Sequence, residues 1–310
     1  MPIRSSRKSE TYFDFFATSG NEAEAFDYDP PIAFTGNRGV WGGGSGPTSN
    51  VIDYVAIPTT GNATDFGDLT VAIGSVAGAA GEGRGIFYGG LNPDATNHID
   101  YITIANTGNA TDFGDIDENK SGAAGMSNGT RAVFDSNGSI KYLTIATTGN
   151  TTNFGNPIES KYQRGPISNS IRGMVGGGLN PSVDTIEYIT IATTGNATDF
   201  GNLAAANQNL GAVYSTTRAV WGAGSETPAG NTNRMQYATI MTTSNTTDFG
   251  DLNLEGYGCR GLSNLSRGLF GPTQNNRTQI DYITIASTGN ATDFGDTTTN
   301  AYNQGPCSGD

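Results

Sequence analysis

Five Asp-Phe-Gly triplets, at Asp65, Asp112, Asp199, Asp248 and Asp293, are the first residues that could do chemistry, because such a triplet carries the magnesium of a protein kinase. A kinase has one, in order with a lysine, a catalytic loop and a glycine-rich loop. Here the triplet is periodic, with Asn153 replacing the aspartate in one further copy, so phosphoryl transfer is set aside. The aspartates are expected to cap hairpins instead. Just before each triplet comes an Asn-x-Thr motif, starting at Asn62, Asn109, Asn150, Asn196, Asn245 and Asn290. No secretory signal is present, so these read as turn asparagines rather than glycan acceptors, Gly-Asn and Ser-Asn pairs suiting hairpin positions of positive φ. Asn62, Asp65 and Asp68 offer three oxygens, but their spacing matches neither the EF-hand loop nor a calcium-binding nonapeptide, and Asn153 and Asn156 would weaken the third copy. No metal is expected. The lone His98 falls in a variable loop, where a solvated side chain is the default. No Ser/His/Asp set and no Cys/His metal spacing is present, so no catalytic residue, no cofactor and no enzyme are expected.

These residues belong to one cassette that must be positioned six times, written IDYITIASTGNATDFGD at 280–296. Its tyrosines (Tyr54, Tyr101, Tyr142, Tyr188, Tyr237, Tyr282) and phenylalanines (Phe66, Phe113, Phe154, Phe200, Phe249, Phe294) stand twelve residues apart in every copy, as in 66−54 and 294−282. An interval without insertions marks a rigid supersecondary unit. The mean phenylalanine spacing, (294−66)/5 or 45.6 residues, is that of a four-stranded propeller blade. A second mark is Arg38, Arg84, Arg131, Arg172, Arg218 and Arg267, the last five each eighteen residues after a phenylalanine, as in 84−66 and 267−249.

The fold class is therefore all-β, a six-bladed β-propeller with four-stranded antiparallel blades. Strand a holds the small residues before the arginine, strand b begins at it, strand c is IDYITI and strand d is TDFGD. Small residues suit a strand crowded near a central axis. Thirteen residues after each phenylalanine come Ala79, Met126, Ile167, Val213, Leu262 and Cys307, an apolar register that makes Cys307 a core thiol. The arginines are expected to form a structural ring, each tying a strand to a carboxylate or carbonyl of the next blade. Asp310 lies sixteen residues after Phe294 and the register resumes at Arg38, so segments 299–310 and 38–57 are expected to share one blade and close the ring. Only the arginine-to-tyrosine interval varies, at 16, 17, 11, 16, 19 and 15 residues (54−38, 101−84, 142−131, 188−172, 237−218, 282−267). The b–c loop is thus the adaptable part, and loops on rigid scaffolds carry recognition. Trp41, Tyr88, Asn92, Asn180 and Trp221 are the candidate ligand contacts there, the three aromatics serving equally well as packing within the blades. The third blade, with the shortest loop and with Asp135, Lys141, Asn153 and Asn156 at off-pattern positions, is expected to be the least stable.

A net charge of −13 argues against nucleic acid, since nothing is available to displace phosphate counterions. No stretch approaches eighteen apolar residues, so no membrane insertion is expected, and synthesis in a cytoplasm is. The chain divides into an N-terminal arm, 1–33, and the propeller, 34–310. Four aromatics of the arm, Tyr12, Phe13, Phe15 and Phe16, are costly to leave in water and are expected to serve as an anchor or an oligomer contact.

The string VIDYVAIPTTGNATDFGDLTVA at 51–72, followed by GRGIFYGG, resembles the repeat of virion and tail-associated proteins of marine bacteriophages, cyanophages among them, over about residues 32–310. It is also similar to kelch propellers in the Gly-Gly after strand b, without the kelch Tyr and Trp pattern. The phage resemblance implies a structural component of the virion, made in the host cytoplasm and contacting other virion proteins. Two roles are expected: a tail-fibre or surface propeller meeting a host glycan or protein through its loops, or a purely architectural decoration or connector. A glycan-cleaving propeller is a minor third.

Overall fold

The computed structural model describes residues 36–310. The arm aromatics Tyr12, Phe13, Phe15 and Phe16 lie outside the described residues. Among the described residues no helix is long and apolar enough to cross a membrane.

Strand b of each blade is buried along almost its whole length, as a strand covered on both faces must be. Six antiparallel sheets result, each hydrogen-bonded in the order a-b-c-d. Blade I takes strand a from the end of the chain, Gly305–Gly309, then Arg38–Gly42, Val51–Ala56 and Thr64–Asp68. Blade II is Ala77–Gly81, Arg84–Tyr88, Thr96–Thr103 and Thr111–Lys120; blade III is Ala124–Ser127, Arg131–Ser136, Ser139–Thr144 and Thr152–Gly155. Blade IV is Gly165–Ser168, Arg172–Gly176, Val183–Thr190 and Thr198–Gln208; blade V is Gly211–Tyr214, Arg218–Gly222, Arg234–Thr239 and Thr247–Asp251. Blade VI is Gly261–Ser263, Arg267–Phe270, Gln279–Thr284 and Thr292–Asp296. The ring closes as expected, with Val40 opposite Cys307 and Arg38 opposite Gly309.

The a strands stand around the axis at very close range. A Cβ on Gly78 would lie 2.1 Å from the Pro306 oxygen, one on Gly125 2.1 Å from the Gly78 oxygen, and one on Gly261 2.2 Å from the Ala212 oxygen. The residues at this position, twelve after each phenylalanine, are Gly78, Gly125, Pro166, Ala212, Gly261 and Pro306, small or ring-closed throughout. One apolar core fills each junction between blades: Val40, Phe66 and Ile73 of blade I meet Ile102 and Ile104 of blade II, and Trp41 and Ile57 meet Leu262 and Phe294 of blade VI. The thirteenth-residue register is buried in all six copies, Cys307 included.

Every strand d bulges at its phenylalanine, because Ile52 pairs with Gly67 while Asp53 pairs with Asp65, and the same skip recurs in each blade. The skipped Phe66 turns inward and meets Tyr54 edge-on at 5.9 Å. Arg38 lies over the ring of that tyrosine, 4.9 Å from its centroid, and donates to the carbonyls of Ile104 and Ala105 in blade II at 2.7 and 2.8 Å. All six arginines repeat this reach to carbonyls of the next blade, ending with Arg267 on Ile57 and Pro58 of blade I.

The motif asparagines do a different job from the one their sequence suggests. None is at positive φ; instead Asn109 Oδ1 accepts the Asp68 amide of the preceding blade at 3.1 Å, and the other five make the same bond. The Asp-Phe-Gly aspartates are exposed. Hairpin capping by them is replaced by an inter-blade contact from strand c, where Asp53, Asp100, Lys141, Glu187, Gln236 and Asp281 are buried. Asp281 accepts the Asn253 and Leu254 amides of blade V at 2.7 and 3.0 Å, and Asp100 accepts the Thr70 amide at 2.9 Å. In blade III the polarity is reversed: Lys141 Nζ donates to Asp117 Oδ2 at 2.6 Å.

Candidate functional site

All b–c loops leave the same face of the disc, together with the d–a connections, because strand b ends where strand c begins, as in Gly42 opposite Ile52 and Gly305. The opposite face carries the a–b turns and the uniform c–d turns. Loop length decides what each blade presents. Blade III closes with the two-residue turn Asn137-Gly138, at φ of 41° and 91°, which fits a hairpin turn of mirror-image type. The longest loop, in blade V, forms its own hairpin, Ser225–Glu226 with Gly230–Asn231, and pairs with strand d of blade IV.

Of the five candidate contacts, Asn92 and Asn180 are exposed on this face. Trp41, Tyr88 and Trp221 are not available to a ligand, each having 0% exposure. They stand three or four residues into strand b, where side chains alternate between the two neighbouring blades, so each enters a junction core. Tyr88 stacks on Phe134 of blade III at 4.0 Å, and Trp221 Nε1 donates to the Gly165 carbonyl of blade IV at 3.0 Å. Burial, with nearby Asp117, Glu118 and Asp135 adding, pushes the Tyr88 phenol well above its ordinary value.

Other aromatics take their place. Tyr162, Tyr257 and Tyr302 are half-buried in the d–a connections, eight residues after a phenylalanine, where the remaining copies have Gly74, Ser121 and Gln208. Tyr257 and Tyr302 meet edge-on at 5.9 Å, Arg277 of the blade VI b–c loop lies 5.5 Å from the Tyr302 centroid, and its guanidinium also donates to the Gly46 carbonyl. This cluster joins the loops of blades VI and I. Its sequence signal was a departure from six-fold repetition inside an interval of constant length.

His98 is half-buried rather than solvated, its Nε2 3.0 Å from Asp100 Oδ1. With Asp112 it forms a group whose ligand atoms lie within 4.8 Å of one another. Asp100, however, already accepts the Thr70 amide and hydroxyl as one of the six strand-c ties, so the group is accounted for by blade packing. Both cysteines are free and buried, and burial pushes each thiol up to about 12, out of nucleophilic range.

Asp135 and Lys141 both have partners. Arg164 donates to Asp135 at 3.0 Å, to Glu187 at 2.8 Å and to the Gly177 carbonyl at 3.0 Å, and all three charged side chains are at most 1% exposed. Burial pushes the Asp135 carboxyl up to about 6, Arg164 pulling it back and Glu187 adding to the rise. Two of the grounds for an unstable third blade are thereby compensated.

Compared with protein-family models and with curated proteins, the chain matches none.

Proposed function

We propose that the protein is a non-enzymatic structural component of a bacteriophage particle, which meets the host surface through the b–c loop face. The observation that carries the reading is the segregation of variability: every length change falls in the b–c loops, all on one face, while the arginine, asparagine and strand-c ties between blades recur in all six copies whatever the loop length. The resemblance of the cassette to marine phage virion repeats supplies the setting, and Asn92, Asn180, Tyr257 and Tyr302 supply polar and aromatic contacts for a glycan or protein. A decoration or connector role is the second reading, favoured by the burial of Trp41, Tyr88 and Trp221, which removes the largest stacking surfaces from the face. Exchanging residues 89–99 with 222–234 separates the two. Unchanged assembly with altered host or glycan binding supports attachment; altered assembly with unchanged binding supports architecture.

A further inference from the structure

Among the described residues two arginines are buried, each just before a strand a, and they are treated very differently. Arg164 is surrounded by two carboxylates and a carbonyl. Arg260, 5% exposed, lines an axial cavity of about 50 Å³, and its guanidinium makes one hydrogen bond, from Nη1 to the carbonyl of its own neighbour Cys259 at 2.8 Å. Among the described residues it forms no ion pair. A guanidinium taken from water without a counter-charge is strongly unfavourable, and natural proteins pair such groups. Its position makes the anomaly sharper. Eleven residues after the phenylalanine the other blades have Ala77, Ala124, Gly165, Gly211 and Gly305, so Arg260 alone extends where the ring has left room.

At the junction of blades VI and I, outside the cavity, a buried donor has no partner. Trp221 Nε1 is bonded to Gly165, the residue at the Arg260 position of blade IV. Trp41, the equivalent of Trp221, packs against blade VI, and its buried Nε1 has no acceptor. Hydroxyl residues Ser127, Ser168, Ser263 and Ser308 line the cavity further along.

We propose that the axial cavity is a binding site for a small oxyanion, a carboxylate or phosphate group, with Arg260 as its counter-charge. Small size follows from the narrow ring of a strands. It follows also from the net charge of −13, which repels a polyanion while leaving a single local cation effective. Arg260 precedes strand a of blade VI and so stands at the loop-face end of the axis, but the proposal does not rest on any attachment role.

The test is thermal unfolding of the full chain titrated with inorganic phosphate and, separately, acetate, at constant ionic strength held with chloride. The midpoint is expected to rise saturably with one of the two, which also tells phosphate from carboxylate. In Arg260→Met the half-saturating concentration should be at least tenfold higher. No rise over chloride with either anion, or an equal response in the variant, overturns the proposal. Should the variant fail to fold, the Arg260 Nε–H resonance of the wild-type protein decides: a saturable shift with phosphate or acetate supports the site, and an unmoved resonance rejects it.

Discussion

Blades III and VI make the same inter-blade contact with opposite charges. In blade VI a buried carboxylate, Asp281, accepts two backbone amides of its neighbour, while in blade III a buried ammonium, Lys141, donates to a carboxylate placed four residues after the neighbour's phenylalanine. What the repeat preserves is a bond across each junction, and the residue that makes it is free to change if its partner changes too. Blade III extends the logic, since Asp135 stands where blades I, IV, V and VI have Gly42, Gly176, Gly222 and Gly271, and is matched by Arg164 of the following blade, where the blades that follow those four have Val76, Leu210, Cys259 and Gln304.

The comparison breaks most severely at Arg164. Replacing it by methionine leaves Asp135 and Glu187 buried without a counter-ion, and about 3–5 kcal/mol of stability should be lost in denaturant unfolding; a variant as stable as the parent would show that the triad is not held as charges. Next in size is Asp281→Ala, which strands the buried Leu254 amide and the part-buried Asn253 amide and should cost about 2–3 kcal/mol. Lys141→Ala should cost less, about 1 kcal/mol or under, because Asp117 is 52% exposed and its charge is screened by water. The reverse order for the last two would mean that polarity reversal is more than compensation. The smallest effect expected is from the double change Lys141→Asp with Asp117→Thr, which recreates the Asp100–Thr70 pairing and should stay within about 0.5 kcal/mol of the parent, whereas Lys141→Asp alone should be worse than Lys141→Ala.

A pH measurement sharpens the same contrast. Asp135 has a folded-state value raised above its unfolded one, so the folded protein binds the extra proton, and the group's contribution is fully present at low pH and lost as pH rises through about 6. Stability of the parent relative to Asp135→Asn should therefore fall between about pH 4 and 6 and be flat above; a difference that instead grows with pH contradicts the raised value.

The blades, their number, the axial small residues, the ring closure and the arginine reach were legible because each is written at a fixed interval. The strand-c ties were not. Their residues are Asp, Asp, Lys, Glu, Gln and Asp in turn, and a bond conserved through unlike side chains leaves no letter to follow. Trp41, Tyr88 and Trp221 were misplaced for another reason: strand b is covered on both faces, so proximity to the loop edge gave no exposure. Tyr257 and Tyr302 were passed over because attention to variable length hides variation at constant length.

The crowding of strand a has a consequence for how such a chain can change in number. With backbone oxygens about 2 Å from where a Cβ would sit on Gly78, Gly125 and Gly261, neighbouring a strands at these three places run at main-chain contact. Deleting a blade would ask these strands to close further, which they have no room to do, while adding one would draw them apart and open the axis. A duplication or loss of one repeat in this lineage therefore has to be accompanied by new residues at those positions, larger ones for a wider ring. The small residues at the hub thus record the count of six as firmly as the repeats themselves do.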